Sequence, residues 1–240
     1  IGGVTSHCAE LARDFYKVFV KAECLVTDCR TAELTKLVEN SFRDVNIAFA
    51  NELSLICDKL EVNVWEMIKL ANYHPRVNIL QPGPGVGGHC IAVDPWFIVN
   101  SAPNEAKLIH TARLVNDNKP DFILDKINQA VNIIAKKRSD IKIACLGLTF
   151  KPDIDDLRES PALNITKKID LMGFEQVLIV EPNINQISKE FKKNVKLVSI
   201  ESALKVSNIV VLLVDHKQFK VLDLSLLSGK QVVDTRGIWS

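Results

Sequence analysis

The segment Gly83-Pro84-Gly85-Val86-Gly87-Gly88-His89-Cys90-Ile91-Ala92-Val93-Asp94-Pro95 is where the chain concentrates residues able to do chemistry. Four glycines lead into a cysteine, so backbone N–H groups can approach a ligand closely. An isolated free cysteine is usually a small buried apolar group. Cys90 instead follows a glycine loop, with His89 before it and Asp94 four residues on, which points to a reactive thiol. Gly83, Gly85 and Gly88 formally satisfy G-x-G-x-x-G. Pro82 and Pro84 argue against the strand-to-helix turn that a dinucleotide loop needs, and Pro95 is expected to stop a helix soon after. The stretch is therefore read as a ligand-binding loop and not as a dinucleotide fingerprint. A Cys90–His89 hydrolase pair is not expected, because adjacent residues point to opposite sides of an extended chain.

Two further sets stand out. Lys36 and Asn40 lie at i and i+4 of a helical pattern, hence on one face; their types and spacing leave a solvated surface equally open. The run from Gly147 through Phe150, Lys151 and Arg158 to Pro161 follows a strand-like segment and precedes a helix. In doubly wound folds ligands sit beyond the carboxyl ends of the strands. Lys151 and Arg158 are then placed to clamp a pyrophosphate, with Pro161 as a first helical residue. Glu181, at the end of the next strand, stands where a ribose-binding acid would lie, and Arg236 adds a third cation at the same edge. Of the glycine fingerprint only Gly147 is present there, so a nucleotide is expected but NAD is not implied by that loop.

The elements that must position these residues change character along the chain. Residues 4–22 show a helical pattern, with an extended stretch at 24–27. A long helix is expected from Thr31, as N-cap, to about Lys59, with Leu34, Leu37, Val38, Ser41, Val45, Ala48, Leu53, Ile56 and Leu60 as its apolar stripe. A helix over about 64–72 and a long ordered loop over 75–95 follow, and helical pattern resumes near Glu105 and runs to about Lys137. From Ile141 the pattern becomes apolar runs at 141–146, 177–180, 195–198, 209–214 and 232–233. Helical stretches at about 161–172, 184–192, 201–206 and 217–227 alternate with them. Continuous apolar strands between helices predict a parallel sheet covered on both faces. The fold class is thus α/β: a central helical domain followed by a doubly wound, Rossmann-like domain. The domains are expected at 1–29, 30–120 and 121–240.

Lys and Arg total 30 against 29 Asp and Glu, a net charge of +1. That balance gives no electrostatic reason for a nucleic-acid or membrane-surface partner. No apolar run is long enough to span a bilayer, and no charged-then-apolar leader is present. The six cysteines show no C-x-x-C pair and no zinc-ligand spacing with the histidines, so no metal is expected, and a reducing cytoplasm suits them better than a disulfide framework. The start at Ile1, without Met, suggests processing or a piece of something longer.

Taken in order, residues 32–57, 74–99, 147–162 and 233–239 resemble the UDP-glucose/GDP-mannose dehydrogenase family from end to end, most closely its branch acting on UDP-N-acetyl-D-mannosamine. The resemblance implies three parts: an NAD-binding domain, of which 1–29 would be the remnant, a helical domain that makes a homodimer, and a UDP-sugar-binding domain. The main NAD-binding domain would then precede Ile1, leaving open whether the chain by itself is an enzyme or a catalytically incompetent binding and dimerisation module. It further implies a four-electron oxidation at C6 of the sugar with two NAD. Cys90 would be the catalytic thiol, Lys36 and Asn40 would sit at the C6 oxygen, and Asp94 would help activate water. Substrate contacts would come from the loop glycines Gly85, Gly87 and Gly88, from Phe150, Lys151 and Arg236, and from Arg76 reaching into the partner subunit's site. Arg158 would lie near the cofactor. Val93 stands where the glucose branch has Lys, which argues against glucose.

Overall fold

The computed structural model describes residues 1–187 and 191–239. Strand β1 (Gly2–Gly3), helix α1 (Ser6–Tyr16) and strand β2 (Thr27–Asp28) open the chain, with β1 and β2 paired in parallel. Helix α1 is shorter than the periodicity predicts, and only Thr27 of the expected extended stretch joins a strand. Helix α2 runs from Cys29 to Lys59. Its N-cap is Asp28 and not Thr31: the Asp28 carboxylate accepts from the Arg30 and Thr31 backbone N–H groups at 3.0 Å each and from the Thr31 hydroxyl at 2.6 Å. The Thr31 hydroxyl, with the two backbone donors, holds the Asp28 carboxyl below its ordinary pKa range. Two orphan N-terminal N–H groups and a hydroxyl are thereby satisfied by one acid.

Helix α3 (Val64–Ala71) is capped by Asn63, and a long loop leads to α4 (Asp94–Ser101). Helix α4 is a correction to the sequence reading. Pro95 starts the helix instead of stopping one, because the first turn has no use for the N–H that proline lacks. Helix α5 (Lys107–Ile134) passes through Pro120 without ending and stops where Ala135 turns left-handed. Its first half lies against α2 and α4. Its second half supplies Ile123, Ile127, Ala130 and Val131 to the core of the α/β region. One continuous helix therefore carries both regions.

The remainder alternates β3 (Lys142–Leu146), α6 (Pro161–Leu171), β4 (Gln176–Val180), β5 (Val195–Leu197), α7 (Ile200–Val206), β6 (Ile209–Leu212), α8 (Lys217–Lys220) and β7 (Gln231–Asp234). The strands form one parallel sheet in the order β5-β4-β3-β6-β7. Ile143, Cys145, Val177, Ile179, Ile209 and Val211 face α5 and α6, while Ala144, Leu146, Leu178, Val180, Val210 and Leu212 face α7 and Phe219. Both faces are covered, as the continuous apolar runs require. Strand order reverses between β3 and β6, so the crevice for a ligand opens beyond Leu146 and Leu212. Gly147, which leaves β3 at φ +91°, is needed there: a Cβ would come within 2.4 Å of Val214 Cβ.

The expected helix at 184–192 is not formed over 184–187 or at 191 and 192, and its residues 188–190 lie outside the described residues. The helix expected over 217–227 is instead α8 followed by a single 3₁₀ turn, Leu224–Leu227. Among the described residues no helix is long and apolar enough to cross a membrane.

Candidate functional site

The crevice beyond β3 and β6 is closed from above by the glycine loop. Its lining includes Pro84, Gly85, Phe150, Lys151, Asp215 and Arg236. The loop glycines are there because nothing larger fits. A Cβ on Gly87 would lie 2.5 Å from the Glu159 carbonyl oxygen and 2.9 Å from Phe150 Cβ. One on Gly88, at φ +84°, would lie 3.1 Å from the Phe150 ring, and one on Gly85 3.1 Å from Pro161. The two loops singled out in the sequence are thus pressed together across 62 to 76 residues of chain. The same contact brings His89 within electrostatic reach of Asp156, and Cys90 within reach of Arg158.

Cys90 is exposed at the lip of this contact. It and Asp94 share one turn, with the Asp94 and Val93 N–H groups donating to the Cys90 carbonyl oxygen at 2.8 and 3.0 Å. Asn40, buried on α2, donates its amide to Asp94 Oδ2 at 2.5 Å. Cys90, Asp94 and Asn40 are therefore one unit. Lys36 lies one turn before Asn40, with an exposed side chain that pairs with Glu39 at 3.2 Å. A surface pair of this kind is worth at most about 1 kcal/mol, so it ties the amine only loosely.

The phosphate-side residues fare unevenly. Lys151 is exposed, with its amine 5.6 Å from the centre of the Phe150 ring. Arg158 is bonded to Asp156 through Nε at 3.0 Å and Nη2 at 2.6 Å, and this pairing holds the Asp156 carboxyl down to about 2. Arg236 is not the free cation that its position suggests. Its guanidinium pairs with Asp215 at 2.9 Å, and Lys220 pairs with the same carboxylate. Burial alone would raise the Asp215 pKa, but Arg236 and Lys220 outweigh it and the carboxyl stays below its ordinary range. Arg76 sits apart on the exposed turn after α3, and among the described residues it has no ion pair.

Glu181 departs from its expected role. It is 5% exposed and faces the protein interior. Its Oε2 accepts from the Leu148 N–H at 2.7 Å and from His216 Nε2 at 3.0 Å, and its Oε1 accepts from the Asn183 N–H at 3.0 Å. His216 Nδ1 accepts from the Asp153 N–H at 2.9 Å, so the ring is the Nε2–H tautomer. Burial raises the Glu181 pKa, yet His216 and the backbone donors bring it below its usual value. The acid anchors the loop at residues 148–153 and is not available to a ribose. With Glu181 committed, and with Arg158 the one residue assigned toward a cofactor, the β3–α6 connection does not fit a dinucleotide.

A buried polar network under the glycine loop escaped the sequence reading. Asn51 Oδ1 accepts from the Gly83 N–H at 2.9 Å, and Asn51 Nδ2 donates to Asn116 Oδ1 at 2.8 Å. Asn116 donates to Asp44 Oδ1 at 2.9 Å, and Arg113 Nη1 donates to the same oxygen at 2.6 Å. Asp117 pairs with Arg113 Nη2 from one turn on, and the buried Arg113 Nε has no hydrogen-bond partner among the described residues. Burial pushes the Asp44 carboxyl above its ordinary range, with Arg113 pulling it back. The one available signal was spacing: Asn40, Asp44, Asn51 and Ser54 recur at intervals that place them on one helical face.

The chain is similar to known proteins over its whole length. Residues 30–118 match the family model of the UDP-glucose/GDP-mannose dehydrogenase family central domain, and residues 144–240 match that of its UDP-binding domain. A UDP-N-acetyl-D-mannosamine dehydrogenase of Yersinia pestis is 57% identical over 243 residues, covering 100% of this chain and 58% of the relative. An NDP-N-acetyl-D-galactosaminuronic acid dehydrogenase of Ralstonia nicotianae is 58% identical, covering 100% of this chain and 56% of the relative. The solved structure of a UDP-D-ManNAc dehydrogenase from Pyrococcus horikoshii superposes with a TM-score of 0.88 at 37% identity, covering 100% of this chain and 56% of that one. The chain thus spans a little over half the length of these relatives, and on its two matched domains it belongs to the UDP-glucose/GDP-mannose dehydrogenase family.

Proposed function

We propose that this chain carries the substrate cleft and the catalytic thiol of a nucleotide-sugar 6-dehydrogenase, oxidising UDP-N-acetyl-D-mannosamine to the corresponding uronic acid. The observation that carries this reading is the seating of the Cys90 loop on Phe150 and Pro161 at the point where strand order reverses. A nucleoside diphosphate lying in the crevice, with Lys151 and Arg236 on its phosphates and Phe150 beside it, would extend its sugar toward Cys90.

Hydride acceptance at C6 is the chemistry that NAD supplies when bound, and the roles below do not depend on where it sits. Lys36, released from Glu39, and the Asn40 amide stabilise negative charge on the C6 oxygen. The Cys90 thiolate adds to the aldehyde carbon to give a thiohemiacetal, which traps the intermediate between the two oxidations. Loss of the second hydride leaves a thioester, and water oriented by Asp94 hydrolyses it to the carboxylate and regenerates the thiol. Arg158 guards the mouth of the site beside Cys90, where a cofactor would approach. Arg76, exposed and unpaired among the described residues, reaches the site of a second subunit in a homodimer built on α2.

The relatives named for mannosamine and galactosaminuronic acid are almost equally similar, so the sugar itself is tested directly. UDP at millimolar concentration should raise the melting temperature and slow alkylation of Cys90, as a ligand selective for this folded cleft must. Absence of both effects would refute the assignment of the crevice. UDP-N-acetyl-D-mannosamine should protect Cys90 at lower concentration than UDP-N-acetyl-D-galactosamine, and the reverse order would move the chain to the galactosamine branch. Without ligand, iodoacetamide should modify Cys90 well before Cys57 and Cys145. Both of those are buried, and burial pushes the Cys145 thiol up to about 12.

A further inference from the structure

A cavity of about 380 Å³ lies between the C-terminal part of α2, the start of α3, the middle of α5 and the edge strand β7. None of the residues assigned to the sugar-nucleotide site lines it. Its size falls within the range of small-molecule sites. Val64 and Trp65 of α3, Phe122 and Ile133 of α5 and Val232 of β7 make its walls mainly apolar. Into this setting α5 brings two ammonium groups, that of Lys126, which pairs with Asp58, and that of Lys119, which is 4% exposed.

Lys119 is poorly matched by its surroundings. Its Nζ donates to Ser54 Oγ at 2.5 Å and lies 4.4 Å from the centre of the Phe122 ring. Among the described residues it has no ion pair; Asp58, the acid close enough to act on it, is paired with Lys126. Asp234 is also at the cavity, but its carboxylate is consumed by the N–H groups of Arg236, Gly237 and Trp239. An ammonium has three donors, and Ser54 takes one. Burial accordingly lowers the Lys119 pKa, to about 8, with Asp58 opposing the shift. A buried cation without a counter-charge is costly, and one lining a cleft marks a place where a ligand can supply the missing charge.

We propose that this cavity binds a small apolar carboxylate, its anionic head paired with Lys119 and its hydrocarbon or aromatic body laid against Trp65, Phe122 and Val232. A single cation without an ion pair among the described residues suits one negative charge better than a phosphate, and Trp65, Phe122, Ile133 and Val232 offer an apolar body its surface. The cavity is separate from the nucleotide crevice but backs onto it. Pro82 and Thr235 line the cavity, while their chain neighbours Gly83 and Arg236 meet on the other side, where a Cβ on Gly83 would lie 2.4 Å from Arg236 Nη1.

The test is calorimetric titration of the chain with octanoate and with its neutral counterpart, octanamide. Octanoate should bind at least about tenfold more tightly, as a charge-assisted hydrogen bond in a dry site requires. Lys119→Met should abolish that preference while leaving octanamide binding intact. If that variant does not fold, the unmodified chain still decides the matter. Between pH 7 and 9.5 octanoate affinity should fall as Lys119, which faces Asp58 and Lys126, loses its proton, while octanamide affinity stays flat. Equal affinities for the two ligands, an unchanged octanoate affinity in Lys119→Met, a flat pH profile for octanoate, or competitive displacement of octanoate by UDP would each overturn the proposal.

Discussion

The sheet of the α/β region and the long helix α2 bury opposite things. From Ile143 to Leu146 and from Ile209 to Leu212 every side chain is apolar and fully buried. Along α2 the buried residues are Asn40, Ser41, Asp44, Ala48, Ala50, Asn51, Ser54 and Cys57. The apolar residues Leu34, Val38, Phe42, Phe49 and Ile56 of the same helix are about half exposed or more. The sheet is held by removal of apolar surface from water, which is strong and non-directional. The inner face of α2 is held by hydrogen bonds that demand particular partners at particular places. That second kind of contact suits a helix whose task is to fix Asn40 against Asp94 and Asn51 against the Gly83 N–H. The apolar outer face, left uncovered by the chain itself, suits a second subunit.

Five substitutions can break or sharpen this contrast. The largest effect is expected where a buried charge loses its partner. Arg113→Met leaves Asp44 buried with Asn116 alone and should cost about 3–5 kcal/mol in urea unfolding. Adding Asp44→Leu should recover much of that loss, and failure to recover it would show that packing, not charge, holds α2 to α5. In the sheet, Ile143→Ala removes a fully buried side chain from the central strand and should cost about 2–5 kcal/mol. Here no second substitution of a polar partner should help.

A smaller, pH-dependent effect is expected at the Glu181–His216 anchor. The folded-state pKa of Glu181 lies below the ordinary glutamate value of 4.5. Its contribution is therefore fully present above about pH 4.5 and is lost as pH falls through the lower, folded value. Glu181→Gln should remove that acid-side loss from the stability profile and loosen the loop at 148–153; an unchanged acid limb would mean that the anchor does not depend on charge. Least costly to the single chain is Val38→Asp on the exposed face of α2, within about 0.5 kcal/mol of the parent. Light scattering should nonetheless report a dimer for the parent at micromolar concentration and a monomer for the variant. A parent that is already monomeric would remove the reason given for the apolar outer face.

How much of this was legible beforehand follows the same contrast. The strands of the sheet could be read because burial on both faces leaves uninterrupted apolar runs, and each lies within two residues of its expected bounds. Helix α4 could not, because Pro95 has opposite meanings inside a helix and in its first turn. The apolar stripe expected on α2 is divided in the structure: Ser41 and Ala48 are buried, while Leu34, Val38, Ile56 and Leu60 are about half exposed or more. Periodicity tells which residues share a face, not what that face meets. Glu181 and Arg236 were placed at the right edge of the sheet, yet their commitments to His216 and to Asp215 depend on residues 35 and 21 positions away.

The amino-acid sequence alone determined the local matters: where strands and helices fall, that Cys90 sits in a loop only glycine can make, and that Lys36 and Asn40 share a helical face. Each depends on residues within a few positions of one another, and short-range sterics and periodicity decide it. The tertiary structure decided which of these meet. It set Asn40 on Asp94 across 54 residues, laid Gly87 and Gly88 on Phe150, turned Glu181 inward, and left Lys119 buried with no ion pair among the described residues. Those outcomes rest on a competition among many possible long-range partners. It is settled by packing of the whole chain, because burial makes each unpaired polar group too costly to leave to chance.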